Sequence, residues 1–200
     1  MSIERPILFS AAMLPAIMAG HKTQTRRALK PQPPLWGTRV RSGVVRSYTP
    51  DAMPRCPYGV PGDRLWVRER ARVVSVTSGH EPWYAIEYAA DGRCTYRNGI
   101  LPGKWFPSRN RNAIGEPLWC SPIHMPRWAS RLTLIIETVR VELLRDITKA
   151  DAIAEGYPSD AGVPPGEWYA DLWERINGPG SWASNPWVWV ITIRRPEEAL

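Results

Sequence analysis

The sequence predicts a mainly β fold with a few peripheral helices, of the α+β class. Two observations lead to this expectation. Short segments in which apolar and polar residues alternate, the pattern of a strand with one buried face, recur along the chain. Only three segments have a helical pattern, and 21 prolines and 15 glycines interrupt the 200 residues between the regular elements. Many short strands with long loops are typical of a small β-barrel or a strongly curved sheet.

The individual elements follow from the same patterns. Strands are expected at 7–10, 23–29, 63–77 (as one strand or two), 83–88, 130–144 and 187–193. Helices are expected at 11–19, 148–155 and 167–176, with Ser10 and Thr148 as N-caps and Gly20 ending the first. Asp151 lies three residues after Thr148, as in a capping box. We expect one domain over 1–200 with loop insertions at 31–62 and 92–122, and a frayed tail at 196–200.

Charge is distributed unevenly along the chain, which carries a formal net charge of +7. Residues 5–50 contain eight basic and no acidic side chains, whereas residues 137–175 contain nine acidic and four basic ones. A basic segment of one sign favours a partner that carries phosphate, although such a face can also be merely solvated.

Several classes of protein are not favoured by the composition. No apolar run reaches the roughly 18 residues that a membrane span needs, and no charged start precedes an apolar run as in a signal peptide. Three cysteines, an odd number, do not suggest a disulfide framework. We therefore expect a cytoplasmic protein without a membrane partner, and a monomer is favoured.

The first candidate site is the segment Gly20-His21-Lys22-Thr23-Gln24-Thr25-Arg26-Arg27. A turn between helix and strand could bring Lys22 near Thr25, so that the amine takes the proton of the hydroxyl. A lysine acts as a base when burial or neighbouring cations lower its pKa, and Arg26 and Arg27 are such cations. The alternative is a basic strand edge that only contacts phosphate.

This segment resembles the signature of the ASCH family, whose fold is similar to the PUA RNA-binding barrel. The resemblance covers nearly the whole chain and is strongest to the larger phage and prophage members, in which case the location is a bacterial host cell. It also rests on these stretches: Pro61-Gly62-Asp63-Arg64-Leu65-Trp66-Val67, Cys56-Pro57-Tyr58-Gly59, His124-Met125-Pro126-Arg127-Trp128-Ala129-Ser130-Arg131, Asp146-Ile147-Thr148-Lys149-Ala150-Asp151-Ala152-Ile153-Ala154-Glu155-Gly156 and Asn185-Pro186-Trp187-Val188-Trp189.

The resemblance implies an activity, because one small bacterial member of the family is an N4-acetylcytidine amidohydrolase. Its functional residues carry over to Lys22 as base, Thr25 as nucleophile and Glu155 as the carboxylate that positions Lys22 or protonates the leaving amine. Glu69 is the alternative carboxylate. No metal or cofactor is implied, and the substrate would be a modified nucleoside or a nucleic acid, RNA or DNA.

Further residues are candidates for binding this substrate. Arginine binds phosphate in a forked geometry and tryptophan stacks on bases. The expected binding residues are His21, Arg26, Arg27, Trp66, His124, Arg127, Trp128 and Arg131.

Other interpretations remain open at this point. Cys56, Cys94, Cys120 and His124 could form a zinc site, but there is no Cys-x-x-Cys pair, and reduced thiols are preferred. Alternative functions are a non-catalytic RNA- or DNA-binding module of PUA type, a ribonuclease that uses His124 and Lys22, and a phage accessory protein.

Overall fold

The computed structural model describes residues 2–32, 39–40, 43–44, 55–76, 83–99 and 118–196. These residues form a mixed α+β structure in which strands predominate. The chain divides into two compact units. Unit 1 comprises Met1–Ile3, Ala16–Asp63 and Ile135–Leu200, and unit 2 comprises Glu4–Pro15 and Arg64–Leu134.

The described residues contain ten strands and three α-helices. The strands are β1 (Glu4–Leu8), β2 (Gln24–Ala28), β3 (Arg39–Val40), β4 (Gly43–Val44), β5 (Arg64–Arg68), β6 (Ala71–Val76), β7 (Trp83–Tyr88), β8 (Cys94–Asn98), β9 (Thr133–Leu143) and β10 (Trp187–Arg194). The helices are α1 (Leu14–Met18), α2 (Lys149–Ala154) and α3 (Pro165–Asn177). The expected α+β class is confirmed, and the described strands form no closed barrel.

The sheet of unit 1 is built on β10, which pairs with β2 on one side and β9 on the other, both antiparallel. Val188 and Val190 of β10 pack against Leu144, Tyr169 and Trp173. The even-numbered residues of β2 lie opposite the even-numbered residues of β10. Their side chains therefore point to the same side of the sheet, toward α2 and α3.

Local sequence explains how the two helices of unit 1 begin. Thr148 and Asp151 exchange hydrogen bonds as a complete capping box, which satisfies two backbone N–H groups at the start of α2. Pro165 is the first residue of α3, where the missing N–H of proline is no loss. Gly178 follows α3 with φ +96°, a conformation that favours glycine.

Unit 2 contains the parallel pair β1 and β5 and the antiparallel sheet β6–β7–β8. One face of that sheet packs on a core formed by Val73, Tyr84, Ile86, Tyr88 and Met125, with Ala71 and Ala129. The hydroxyl of Tyr88 donates a hydrogen bond to the carbonyl of Ala129, 2.9 Å away, so this buried phenol has a partner.

The structure differs from the sequence expectations in the following two places. Residues 94–98 form a strand, because β8 completes the sheet beside β7 within the expected insertion at 92–122. The expected helix at 11–19 is a 3₁₀ turn at Ala11–Met13 followed by α1, and the Ser10 side chain makes no cap hydrogen bond. Of the two alternatives expected for 63–77, one strand or two, the structure has two, β5 and β6.

Some expectations concern residues that the structure does not describe. Residues 33–38, 41–42, 45–54 and 100–117 of the two expected insertions lie outside the described residues, as does 197–200 of the expected frayed tail. Within the described part of the chain, no helix has the length and apolar character needed to cross a membrane.

Candidate active site

The chain turns sharply between α1 and β2, and this turn places Lys22. Gly20 has φ +78°, and the backbone N–H groups of His21 and Lys22 both donate to the carbonyl of Ala16, at 2.8 and 3.0 Å. The N–H of Thr23 then donates to the carbonyl of Ala154 at the end of α2, 2.8 Å away. Lys22 is thereby buried, whereas His21, expected to bind substrate, is exposed.

The ammonium of Lys22 has three acceptors and one ionic partner. Nζ donates to the carbonyl of Gln24 at 2.9 Å, the carbonyl of Glu155 at 2.8 Å and Oε2 of Glu155 at 2.6 Å. The side chains of Lys22 and Glu155 are only 1% and 3% exposed. Three acceptors are the full complement for an ammonium group, so the desolvated cation is satisfied.

Glu155 follows α2 directly, and the backbone there brings it close to Lys22. Its N–H donates to the carbonyl of Asp151, and the next residue, Gly156, has φ +95°. A Cβ at position 156 would lie 3.1 Å from Cβ of Lys22. Glycine is therefore needed at position 156 both for the backbone conformation and for the close approach of Lys22.

Arg26 holds the other oxygen of the Glu155 carboxylate. Its Nη1 donates to Oε1 of Glu155 at 3.2 Å and to Oε1 of Gln24 at 2.6 Å. Its Nε and Nη2 donate to Oε1 of Glu142, at 3.1 and 2.6 Å. Arg26 was expected to contact phosphate, but its side chain is 0% exposed and its charge is used inside the protein.

Three further side chains complete this arrangement. Arg140 pairs with Glu142 at 3.1 Å and with Asp151 at 2.8 Å. The hydroxyl of Tyr169 lies 3.5 Å from Oε1 of Glu155. We call the following group the Lys22–Glu155 cluster: Lys22, Gln24, Arg26, Arg140, Glu142, Asp151, Glu155 and Tyr169. With three cations and three carboxylates it is formally neutral, as a largely buried set of charges must nearly be.

Burial shifts the proton affinities within the cluster. Desolvation lowers the pKa of Lys22, and the charges of Arg27 and Arg26 lower it further, while Glu155 acts in the opposite direction. Burial raises the pKa of Tyr169 well above 10.0, and the charge of Glu155 adds to this shift. Lys22 therefore has the feature that a base requires, a pKa below that of an ordinary lysine.

Thr25 occupies a different face of β2 from the cluster. Gln24 and Arg26 both reach the cluster, so the alternation of the strand directs Thr25 and Arg27 to the opposite face. Thr25 lies opposite Ile191 of β10 and is buried. The structure brings Lys22 and Glu155 together as the resemblance implied, but the contacts of Lys22 do not include the Thr25 hydroxyl.

In unit 2, Glu69 and Arg131 pair with each other. Nε and Nη2 of Arg131 donate to the two carboxylate oxygens of Glu69 at 2.8 and 2.9 Å, and Nη1 donates to Asp91 at 2.9 Å. The guanidinium also lies over the ring of Tyr88, 4.1 Å from its centroid. Glu69, the alternative catalytic carboxylate, is 1% exposed and held by a bidentate arginine, and Arg131 is not available for a phosphate.

The other expected binding residues of unit 2 have mixed environments. Trp66 is buried, with the guanidinium of Arg68 4.6 Å from its ring. Trp128 packs edge-on against Tyr84 beside the core. Arg127 is paired with Glu4 at 2.8 Å. His124 is exposed at the end of a 3₁₀ turn, Pro122–His124.

Sequence reasoning did not identify five members of the cluster as site residues, and a signal for them existed. Gln24 shares a strand face with Arg26, and Arg140 and Glu142 share one on β9, although strand faces toward a core are normally apolar. The basic segment 5–50 and the acidic segment 137–175 meet in this cluster. The sequence pattern predicts Asp151 only as part of a helix cap, and Tyr169 is not among the expected site residues.

The described residues do not support a zinc site. Among them no group of three or more His, Cys, Asp or Glu side chains is placed to hold a metal ion. Cys56 and Cys120 are half-buried, Cys94 is exposed, and none of the three forms a disulfide.

Comparison with known proteins adds no family or relative to this geometry. No protein-family model, no curated protein and no solved structure matches the chain.

Proposed function

We propose that this chain is a hydrolase that removes an acyl group from the amide nitrogen of a modified nucleobase, in a nucleoside or a nucleic acid. We also propose that the chain is a member of the ASCH family, that its fold is a PUA-like barrel and that it is located in the cytoplasm. The observation that carries the hydrolase proposal is the 2.6 Å contact between Lys22 and Glu155, which are 133 positions apart. The family resemblance assigns the same two residues to one site on the sequence alone.

The chemistry of the pair suits proton transfer. A lysine whose pKa is lowered by burial can give up its proton, and the adjacent carboxylate holds the amine in position. In hydrolysis an oxygen nucleophile adds to the acyl carbon, the C–N bond breaks, and the nitrogen of the base takes up a proton. Lys22 would first pass one ammonium proton to Glu155, then accept the proton of the nucleophile as the neutral amine and return it to the leaving nitrogen, after which Glu155 returns its proton to Lys22.

The nucleophile is either Thr25, as the resemblance implies, or a water molecule. With Thr25, an acyl-enzyme ester forms and water then hydrolyses it. Because Thr25 faces away from Gln24 and Arg26, that route requires local rearrangement of β2. Direct attack by water requires that substrate binding opens this buried site and displaces one of the three acceptors on Lys22.

The test is acetate release from N4-acetylcytidine by the full chain and by Lys22→Met, Glu155→Gln and Thr25→Val. Loss of the base or the carboxylate should lower the rate by about 100-fold or more, the usual contribution of general acid–base catalysis. Thr25→Val should be as damaging if Thr25 is the nucleophile and mild if water is.

Lys149→Met and Glu167→Gln, at exposed positions of α2 and α3, serve as matched controls. Circular dichroism would establish that each variant is folded. If the wild-type chain releases no acetate, or if Lys22→Met and Glu155→Gln match the controls in rate, the hydrolase proposal is wrong.

One observation favours a second function, a non-catalytic module that binds RNA or DNA. Lys22 already has three acceptors, and Glu155 already pairs with Lys22 and Arg26, so the cluster could serve only to hold β2 in place. Binding would then use residues outside the cluster, such as His21 and Arg27. A binding module should tolerate Thr25→Val but lose affinity on Arg27→Gln, with affinity falling as salt increases.

A further inference from the structure

The face of the β6–β7–β8 sheet that lies away from the core of unit 2 carries aromatic side chains. Tyr96 on β8 is 70% exposed and lies 5.8 Å from the ring of half-buried Trp83 on β7. The opposite face of the same sheet is covered by the core of unit 2. The exposed ring of Tyr96 is large, rigid and flat, with a polar hydroxyl at one end, which suits it to stacking.

A third aromatic residue extends this face at the other edge of the sheet. The backbone of Cys120 bridges to Ala71 of β6, so that Trp119 lies beside the start of that strand. The guanidinium groups of Arg72 and Arg70 lie 4.5 and 5.8 Å from the ring of Trp119. We call Trp83, Tyr96, Trp119, Arg70 and Arg72 the aromatic face.

The charge of unit 2 indicates what kind of partner fits this face. Its described residues include nine arginines, no lysine and four carboxylates. All four carboxylates, Glu4, Glu69, Glu87 and Asp91, are paired with arginines. The surplus is therefore positive, and it consists of guanidinium groups, which bind phosphate and stack on aromatic rings.

From these observations we infer that the aromatic face binds single-stranded nucleic acid. An unpaired base would stack on the exposed ring of Tyr96, while the arginines, Arg70 on this face and the exposed Arg93 before β8, contact the phosphates. Stacking on an exposed ring requires a base that is not in a duplex. This inference goes beyond the proposed hydrolysis and does not depend on it, since no residue of the Lys22–Glu155 cluster takes part.

The experiment measures fluorescence anisotropy of labelled 12-nucleotide oligouridylate and oligothymidylate with the full chain, and of a duplex of the same length. We expect the single strands to bind more tightly than the duplex, and the affinity to fall with increasing salt. Tyr96→Ala should weaken single-strand binding roughly 5- to 100-fold, as loss of one stacked base does, and Tyr96→Phe should retain it.

Two matched controls lie in the same unit. Ile123→Ala removes another exposed apolar side chain, and Arg64→Gln removes an exposed arginine of β5, outside the β6–β8 sheet. Ile123→Ala should bind the single strands more tightly than Tyr96→Ala does. Arg64→Gln should likewise bind them more tightly than Arg93→Gln does. The inference is overturned if the single strands do not bind, if the duplex binds equally well, or if Tyr96→Ala binds as the wild type does.

The same variants separate this inference from the proposed function. Tyr96→Ala should hydrolyse free N4-acetylcytidine at the wild-type rate. A chain that binds oligonucleotides but releases no acetate would contradict the hydrolase proposal alone, and a chain that releases acetate but does not bind them would contradict this inference alone.

Discussion

Each unit buries a carboxylate against cations, but the two units use different cations. In unit 2, Glu69 is held by both arms of Arg131, which also reaches Asp91. In unit 1, Glu155 is shared between Arg26 and Lys22. An arginine stays protonated in any protein environment, whereas burial readily shifts the pKa of a lysine. Only the cluster of unit 1 therefore contains a cation that can readily give up its proton, which is why it is the candidate for chemistry.

The comparison also separates two kinds of geometry. The planar fork of Arg131 matches the two oxygens of one carboxylate, which makes a rigid pair. Lys22 instead binds two carbonyls as well as its carboxylate, so it ties the end of α2 to the start of β2. Lys22 is therefore expected to matter for folding as well as for activity.

The largest effect on stability is expected from Lys22→Met. This change leaves the buried Glu155 carboxylate without its lysine and leaves two carbonyls without a donor. Removing one partner of a buried pair typically costs about 3–5 kcal/mol of unfolding free energy. Urea denaturation of Lys22→Met beside Lys149→Met measures it, and a difference below about 1 kcal/mol would show that the pair is not essential to unit 1.

A smaller effect is expected from Gly156→Ala, with Gly162→Ala as its control. Both glycines have positive φ, +95° and +69°, so alanine should cost about 1–2 kcal/mol at either position. Only at position 156 does the added Cβ meet a neighbour, Cβ of Lys22 at 3.1 Å. Gly156→Ala should therefore be the more destabilising in urea, and it should also lower any acetate release. Equal losses for both variants would mean that Lys22 can move aside freely.

Acid should weaken both units through one aspartate in each, Asp151 in unit 1 and Asp91 in unit 2. Burial opposes ionisation of Asp151, but hydrogen bonds from Thr148 and the charge of Arg26 hold its pKa well below 3.8. The pKa of Asp91 is lowered as well, against the effect of burial, by hydrogen bonds from Arg131 and the backbone of Arg93. A lowered pKa contributes stability above the unfolded value of 3.8, which is lost as pH falls through the folded value.

The measurement is urea denaturation at about pH 6 and about pH 3 for the wild type, Asp151→Asn and Asp91→Asn. Each substitution removes one titrating group, so each variant should lose less stability between the two pH values than the wild type does. Variants with the same pH dependence as the wild type would show that these aspartates do not govern acid stability.

The smallest effect is expected for the exposed pair of Glu4 and Arg127, whose side chains are 36% and 45% exposed. Arg127→Ala should change the unfolding free energy by less than about 1 kcal/mol, because solvent already screens such a pair. If urea denaturation shows a larger loss of unfolding free energy, this exposed ion pair contributes as much to stability as the buried ones do.

Much of the fold could be predicted because its signals are local. The alternation in 130–144 and 187–193 corresponds to β9 and β10, and the capping box at Thr148 and Asp151 forms as expected. The sequence does not predict β8, because Cys94-Thr95-Tyr96-Arg97-Asn98 contains few apolar residues. This strand forms through its pairing with β7.

The site shows the same division between local and distant information. Lys22 was identified from its segment, and Glu155 only through a family resemblance. The contacts of Arg26 with Glu142 and of Tyr169 with Glu155 join residues 116 and 14 positions apart. No local pattern predicts such contacts, because the first depends on how β2 and β9 pair with β10 and the second on how α3 packs near the end of α2.

The sequence by itself determined the class of the fold, most of its elements and the two segments of opposite charge. Tertiary structure decided that those segments meet in a buried neutral cluster. It also decided that Arg26 binds carboxylates of the protein and not phosphate, and that Thr25 faces away from Lys22. The physical reason is that strand alternation and helix capping are set by neighbours in the chain. The partner of a buried charge is set by whichever element packs against it.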